Sequence, residues 1–168
     1  MKYLVVSDIH GKEEYIDYLS SLIDYEKTNK IIILGDIMSS YYNQDKLLEF
    51  LLKYKDNIVL IKGNCDFPLS IPYEMLDFYK EVINGKVFLF THGHLLPYIP
   101  VTDTDVLVSG HTHEDLLVKT KEGTILFNPG SIAAPRGNSV HSYGYITDEE
   151  LIIKEVGGDV IKKLNYIK

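Results

Sequence analysis

Short apolar runs and helix-like periods alternate through the first 62 residues of the chain. The apolar runs are continuous and rich in β-branched residues, which is typical of strands buried on both faces. The segments between them carry apolar side chains at helical spacing, and Asn43 is the predicted N-cap of the second helix. Strands are predicted at residues 3–7, 30–34 and 58–62, and helices at residues 13–27 and 44–54. This βαβαβ order predicts a parallel sheet.

The rest of the chain predicts strands only. Asn84-Gly85 separates apolar runs at residues 78–83 and 87–90, which is a strong hairpin signal. Another short strand is predicted at residues 106–108, and further short β-like runs alternate with turns from about residue 116. These turns are predicted at residues 121–123, 148–149 and 157–158. We therefore expect an antiparallel C-terminal part, and an α/β fold in which two packed sheets have helices outside them.

Composition narrows the class of protein. A length of 168 residues predicts one domain, spanning residues 1–168. The single cysteine, Cys65, excludes an internal disulfide. No segment has the pattern of a signal peptide or the apolar length of a membrane span, so a cytoplasmic location is expected. The net charge of -7 gives no basic footprint for nucleic acid.

Five of the predicted strands end in a small polar cluster that contains glycine. The clusters are Asp8-Ile9-His10-Gly11, Gly35-Asp36, Gly63-Asn64-Cys65-Asp66, Thr91-His92-Gly93-His94 and Gly110-His111-Thr112-His113. Carboxylate, amide and imidazole groups are metal ligands, and the carboxyl ends of strands are where open α/β sheets bind ligands. Five of the six histidines lie in these clusters, which packing alone does not explain.

The spacing within the clusters adds a geometric argument. In an extended backbone, residues i and i+2 project to the same side. Asp8 and His10 are therefore expected to face one ion or two neighbouring ions, and the same holds for His111 and His113. Each cluster taken alone is also a common loop sequence, and Gly35-Asp36 alone is nearly uninformative. Their joint order at successive strand ends favours a metal site.

In this order the motifs resemble those of the calcineurin-like metallophosphoesterases, and among them the small YfcE-type phosphodiesterases. The resemblance extends to Asn128-Pro129-Gly130-Ser131 and to Ser142-Tyr143-Gly144-Tyr145. It implies a four-layer α/β/β/α sandwich and a site for two divalent ions. One ion would be held by Asp8, His10, Asp36 and His113, and the other by Asp36, Asn64, His92 and His111. Asp36 would bridge the ions, because two like charges about 3.5–4 Å apart need an anion between them.

The resemblance also implies an activity. The chain is expected to hydrolyse a small phosphate ester, most specifically a diester, by in-line attack of a hydroxide that bridges the ions. Mn²⁺ is the expected metal, with Ni²⁺, Fe²⁺ and Zn²⁺ as alternatives. The competing interpretations are a phosphomonoesterase acting on nucleotides or phosphoproteins, and a binding scaffold without turnover. Competent residues at all seven ligand positions argue against the scaffold. Similar proteins often form homo-oligomers, and a homo-oligomer is one of the two assembly states that stay open, the other being a monomer.

Cys65 departs from the wider superfamily, in which a histidine often follows the asparagine and serves as an acid or phosphate contact. A thiol with an ordinary pKa of about 8.5 is a weaker partner for a phosphate oxygen, so substrates with good leaving groups are favoured. Whether Cys65 is an acid, a phosphate contact or a bystander stays open. Asp66 is predicted to orient a histidine ligand or Asn64.

Other polar residues near these motifs have weaker signals. His94 is interpreted as a residue of the rim or one that supports the ligands. Ser131 is interpreted as shaping a turn near the site and Arg136 as solvated. His141, near the start of a predicted strand, has only a weak signal for lining the substrate cleft. The segment between His94 and residue 106 is short, which predicts a trimmed rim around the pocket.

Overall fold

The computed structural model describes residues 1–38, 44–66 and 73–168. In these ranges the strands are β1 (Lys2–Val6), β2 (Lys30–Ile33), β3 (Ile58–Leu60), β4 (Phe78–Ile83), β5 (Lys86–Thr91), β6 (Val106–Val108), β7 (Asp115–Lys119), β8 (Ile125–Pro129), β9 (Ser142–Thr147), β10 (Glu150–Glu155) and β11 (Val160–Asn165). The helices are α1 (Glu13–Glu26) and α2 (Asp45–Lys53), with short 3-10 helices at Lys55–Asn57 and Leu96–Tyr98. The predicted N-cap, Asn43, lies outside the described residues.

The first sheet has the strand order β11-β10-β9-β1-β2-β3. Strands β1, β2 and β3 are parallel, as the βαβαβ pattern predicted. Helices α1 and α2 cover one face of this sheet. Their apolar sides, which include Ile16, Leu19 and Phe50, pack against strand residues such as Leu4 and Tyr145.

The second sheet has the strand order β4-β5-β6-β8-β7. The predicted β4–β5 hairpin is confirmed, and its turn residues Asn84 and Gly85 have φ angles of 49° and 77°. Both values suit the type of tight turn that Asn-Gly favours. The expectation of a wholly antiparallel C-terminal part is wrong, because β6 runs parallel to both β5 and β8. Strand pairing here depends on connections that cross the sheet, and local alternation of side chains does not reveal them.

The two sheets pack face to face, as predicted. Their inner faces share a core that includes Val5, Ile32, Phe88, Phe90 and Phe127. The structure therefore has the predicted sandwich of two packed sheets with helices outside them, and α1 and α2 lie on the outer side of the first sheet. None of the helices in the described ranges is long and apolar enough to cross a membrane.

The carboxyl ends of five strands meet at one edge of the sandwich. These ends belong to β1, β2, β3, β5 and β6, the strands that precede the polar clusters. Backbone hydrogen bonds join their loops directly: the N–H of Asp8 donates to Gly35, that of His10 donates to Asp36, and that of Gly110 donates to His92, at 2.8–3.1 Å. Clusters that lie as far apart in sequence as His10 and His113, 103 residues, are thus brought to one place.

Candidate metal centre

Five of the seven predicted metal ligands have a left-handed backbone. The φ angles lie between 49° and 70° for Asp8, His10, Asp36, His111 and His113. The expectation that Asp8 and His10 face the same way because the chain is extended is therefore wrong in its reason, although the two side chains do converge. Left-handed conformations of residues other than glycine are strained and concentrate at functional sites. The bonds between loops hold the chain in these conformations.

Two glycines permit the loops to approach this closely. A Cβ atom on Gly63 would lie 2.1 Å from Oδ1 of Asp36 and 2.2 Å from its nitrogen. A Cβ on Gly110 would lie 1.9 Å from Oγ of Ser7, next to Asp8. Real side chains do not reach such distances, so these positions need glycine for the close packing of the loops rather than for a left-handed backbone.

The first group of predicted ligands converges around a small space. One ligand atom from each of Asp8, His10, Asp36 and His113 lies within 4.8 Å of the others. Nε2 of His113 is 3.2 Å from Oδ1 of Asp8 and 3.4 Å from Nε2 of His10. Nε2 of His10 is 4.0 Å from both Oδ1 of Asp8 and Oδ2 of Asp36. Asp8 and Asp36 are buried, and His10 is partly exposed.

The second group of predicted ligands lies beside the first and shares Asp36 with it. Nε2 of His92 is 3.0 Å from Oδ1 of Asn64 and 3.5 Å from Oδ2 of Asp36. The ring of His111 lies against that of His92, with the centroids 5.0 Å apart. The structure therefore brings all seven predicted ligands together and places Asp36 between the two groups.

Backbone carbonyls fix which ring nitrogen is free in two of the histidines. Nδ1 of His92 is 2.7 Å from the carbonyl oxygen of Leu34, and Nδ1 of His113 is 2.6 Å from that of Ala134. A carbonyl only accepts, so each Nδ1 carries the proton and donates. Each Nε2 then presents a lone pair toward the site, an arrangement common for histidine ligands of metals.

These lone pairs face other acceptor atoms. Nε2 of His113 faces Oδ1 of Asp8, and Nε2 of His92 faces Oδ1 of Asn64. Oδ1 of Asp8 is buried without a hydrogen-bond partner in the described structure. Acceptors that face one another without a donor are stabilised by a positive charge placed between them. The donor set therefore fits cations on both sides of Asp36.

The pKa directions of His113, His92 and Asp36 agree with this need for positive charge. Contact with the Asp8 carboxylate raises the pKa of His113, although burial opposes it. Burial lowers the pKa of His92, but the Asp36 carboxylate outweighs burial and the pKa is raised overall. Burial likewise opposes ionisation of Asp36, yet contacts with His92 and the N–H of Cys65 outweigh it and lower the Asp36 pKa.

Asp66 binds backbone rather than a histidine in the described part of the chain. Its Oδ2 accepts from the N–H groups of Asp36 and Gly63, both at 2.8 Å, and its Oδ1 accepts from those of Ile37 and Met38 at 3.0 and 3.1 Å. Burial raises the pKa of Asp66, and these hydrogen bonds act against that rise. Asp66 thus fastens the loop after β2, which carries Asp36, to the loop after β3, which carries Asn64.

Cys65 is exposed beside the two ligand groups. Its backbone N–H donates to Oδ1 of Asp36 at 2.8 Å, and its sulfur accepts from Nδ2 of Asn64 at 3.3 Å. Partial desolvation of the sulfur and the nearby Asp36 carboxylate raise the pKa of the thiol to about 11. In the metal-free protein the thiol is therefore protonated at neutral pH, which disfavours a thiolate nucleophile.

The weaker candidates lie at the margin. The ring centroid of His94 is 5.3 Å from that of His92, and its buried Nδ1 has no hydrogen-bond partner in the described ranges. Arg136 is exposed, and its N–H donates to the carbonyl of His113 at 3.0 Å. The ring of His141 stacks on Tyr15, and its Nδ1 lies 2.9 Å from the carbonyl of Ile132.

Sequence reasoning gave no role to Asn128, which supports the loop that carries two histidine ligands. Its Nδ2 donates to the carbonyl of Gly110 at 2.9 Å and to Oγ1 of Thr112 at 3.1 Å, while its Oδ1 accepts from the N–H of Gly130 at 2.9 Å. The only signal for it in the sequence was the Asn-Pro-Gly-Ser turn in which it lies.

Comparison with known proteins agrees with this geometry. Residues 1–150 match the calcineurin-like phosphoesterase superfamily domain. Phosphodiesterase YfcE of Escherichia coli is 32% identical over 176 residues, covering 91% of each chain. The probable metallophosphoesterase YsnB of Bacillus subtilis is 30% identical over 162 residues, covering 89% of this chain and 85% of YsnB.

Solved structures show the same fold. The structure of E. coli YfcE, a phosphoesterase, matches with a TM-score of 0.88 at 26% identity, covering 99% of this chain and 100% of that one. Vacuolar protein sorting 29 of Cryptosporidium parvum matches with a TM-score of 0.72 at 18% identity, covering 98% and 97% of the two chains, and this likeness concerns the fold alone. The chain belongs to the calcineurin-like phosphoesterase superfamily.

Proposed function

We propose that this chain is a phosphodiesterase that works with two divalent ions. The observation that carries the proposal is the set of opposed acceptor atoms, above all Oδ1 of Asp8, which is buried without a hydrogen-bond partner among the described residues and faces Nε2 of His113 at 3.2 Å. One ion would be held by Asp8, His10, Asp36 and His113. The other would be held by Asp36, Asn64, His92 and His111.

Charge explains how an acidic protein attracts a phosphate ester. Only two of the proposed ligands, Asp8 and Asp36, are anionic, so two divalent ions leave the site net positive despite the overall charge of -7. When bound, such ions neutralise charge on the phosphoryl group and activate water as a nucleophile. The chain's own contribution is to fix the ligands: the carbonyls of Leu34 and Ala134 hold the rings of His92 and His113.

Two residues outside the ligand set complete the proposal. Asp66 positions Asp36 through the backbone of its loop. Cys65 is a contact for a phosphate oxygen, because its protonated thiol is exposed next to Asp36. A thiol is a weaker acid than the imidazole that often stands at this position, so we favour diesters with good leaving groups over monoesters. The name of E. coli YfcE, a phosphodiesterase, supports the same choice.

The finer assignments are also proposals. Mn²⁺ is the proposed metal, because it accepts the mixture of imidazole, carboxylate and amide ligands found here. We further propose a small phosphate ester as the substrate and the cytoplasm as the location.

The test is hydrolysis of bis-p-nitrophenyl phosphate by purified protein, after chelation and again after addition of Mn²⁺. We expect the metal to restore turnover, and turnover of p-nitrophenyl phosphate to be slower. His113→Ala should lose metal and activity, while His141→Ala, a histidine outside the ligand set, should keep its metal. Absence of metal-dependent turnover of either ester would favour a binding scaffold. Faster turnover of the monoester would identify a phosphomonoesterase.

A further inference from the structure

Ser131 lies where the chain passes from the second sheet to the first, between β8 and β9. It is fully buried, and it is not one of the seven proposed ligands. Its neighbours in sequence are tied to the segment after β1. The N–H of Ile132 donates to the carbonyl of Ser7 at 3.3 Å, and Nζ of Lys12 donates to the carbonyl of Ala133 at 2.7 Å. The turn at residues 131–134 is therefore fixed against the segment that carries Asp8 and His10.

The hydroxyl of Ser131 joins two proposed ligands of the same ion. Its Oγ donates to the backbone carbonyl of Asp8 at 2.8 Å and accepts from the N–H of Ala134 at 2.8 Å. The carbonyl of Ala134 in turn accepts from Nδ1 of His113 at 2.6 Å. A continuous path of hydrogen bonds and one peptide residue thus runs from the backbone of Asp8 to the ring of His113.

This path matters because neither end is in a relaxed conformation. Asp8 and His113 have φ angles of 56° and 63°, and their ligand atoms lie 3.2 Å apart, with no hydrogen-bond partner for Oδ1 of Asp8 in the part of the chain that the structure describes. A hydroxyl can donate and accept at the same time, so the one side chain satisfies a carbonyl and an N–H together. Alanine at this position would remove the hydroxyl from the Asp8 carbonyl and from the N–H groups of Ala133 and Ala134.

Apart from His111, whose N–H donates to Oδ2 of Asp8 at 3.1 Å, the other group of ligands has separate supports. The ring of His92 is held by the carbonyl of Leu34, and the loop of Asp36 is held by the carboxylate of Asp66. In the described structure, none of the hydrogen bonds of Ser131 leads to Asn64 or to His92. Loss of the Ser131 hydroxyl should therefore disturb the Asp8–His10–His113 side of the metal site and spare the side of Asn64 and His92.

We propose that Ser131 is a positioning residue that sets the affinity of the Asp8–His10–His113 side for its ion without touching that ion. This inference rests on the proposed two-metal function. Supporting residues of this kind typically change metal affinity by about 10–100-fold. Ser131→Ala should then weaken one of two binding steps and leave the other unchanged.

The matched control is Ser142→Ala. Ser142 is equally buried and its Oγ also donates to a backbone carbonyl, that of Pro129 at 2.7 Å, but this hydroxyl bonds no backbone group of a proposed ligand. The N–H of Ser142, which donates to the carbonyl of Ser131 at 3.1 Å, is kept by alanine. Ser131→Cys is the graded variant, because a thiol is a weaker donor and acceptor of similar size. Thermal unfolding of each variant shows whether it is folded. If Ser131→Ala does not fold, Ser131→Cys replaces it in the experiment.

The experiment titrates metal-free wild type and variants with Mn²⁺. Bound metal is measured by elemental analysis, and coupling between ions by electron paramagnetic resonance. We expect two coupled ions in wild type and in Ser142→Ala. In Ser131→Ala we expect one ion with an uncoupled signal at the Mn²⁺ concentration that saturates wild type, and a second step weakened about 10–100-fold. Ser131→Cys should lie between the two.

Three results would overturn the inference. Ser131→Ala could bind both ions as tightly as wild type, it could lose both steps equally, or Ser142→Ala could lose the same step. Wild type that binds fewer than two ions is a distinguishable outcome, because it contradicts the proposed function itself and removes the basis of the inference with it.

Discussion

Asp66→Asn removes one carboxylate oxygen from a cluster of four backbone N–H groups and replaces it with a donor. Each oxygen of Asp66 accepts from two N–H groups, so whichever way the amide turns, two buried donors face its NH2 group. A buried donor left without an acceptor costs about 1–3 kcal/mol, which gives a loss of about 2–6 kcal/mol in the free energy of unfolding. A domain of this size has only about 5–15 kcal/mol of stability in total.

Urea unfolding of the metal-free protein, followed by circular dichroism, measures this loss. Keeping a chelator present removes any contribution from bound ions. Asp148→Asn is the matched control, because Asp148 makes an exposed ion pair with the N-terminus and its loss should change stability by less than about 1 kcal/mol. If Asp66→Asn loses no more free energy of unfolding than the control, with an unchanged dependence on urea, the role of Asp66 in joining the two loops is refuted.

Three further substitutions test the site. Asp36→Asn should abolish turnover of bis-p-nitrophenyl phosphate and lower bound metal by elemental analysis, because Asp36 alone lies between both ligand groups; full metal and full rate would contradict the bridging role. Gly63→Ala should reduce bound Mn²⁺ to less than half, because its Cβ would lie only 2.1 Å from Oδ1 of Asp36 and would displace that carboxylate. Unchanged metal binding would show that the loops move apart without cost. Cys65→His should raise the ratio of monoester to diester turnover, because imidazole is the better acid; an unchanged ratio would remove Cys65 from the choice of substrate.

The elements of the fold followed well from local patterns. The two helices begin and end within two residues of the predicted positions, and Asn84-Gly85 predicted its turn, because these features depend on neighbouring residues. The direction of β6 did not follow, since a three-residue apolar strand looks the same in a parallel and an antiparallel pair. Its direction is set by the whole connection that precedes it.

The sequence pointed to seven side chains that the structure brings together, but it did not predict their backbone geometry. Aspartate and histidine at strand ends carry a chemical signal, and all seven lie together. Their left-handed backbone was missed, because nothing in the identity of His10 or His111 requires it. The carbonyl of Leu34 and the amide of Asn128 were missed for a related reason. Backbone acceptors have no sequence signature, and contacts between distant segments appear only once the chain is folded.

The most direct test of two ions on either side of Asp36 is a crystal structure of the Mn²⁺-loaded protein with anomalous diffraction at the manganese edge. We expect two anomalous peaks about 3.5–4 Å apart, the distance typical of two-metal sites. One peak should lie among Asp8, His10 and His113 and the other next to Asn64 and His92. Manganese confined to other surfaces of the molecule, with neither peak at this edge of the sandwich, would contradict the two-metal site.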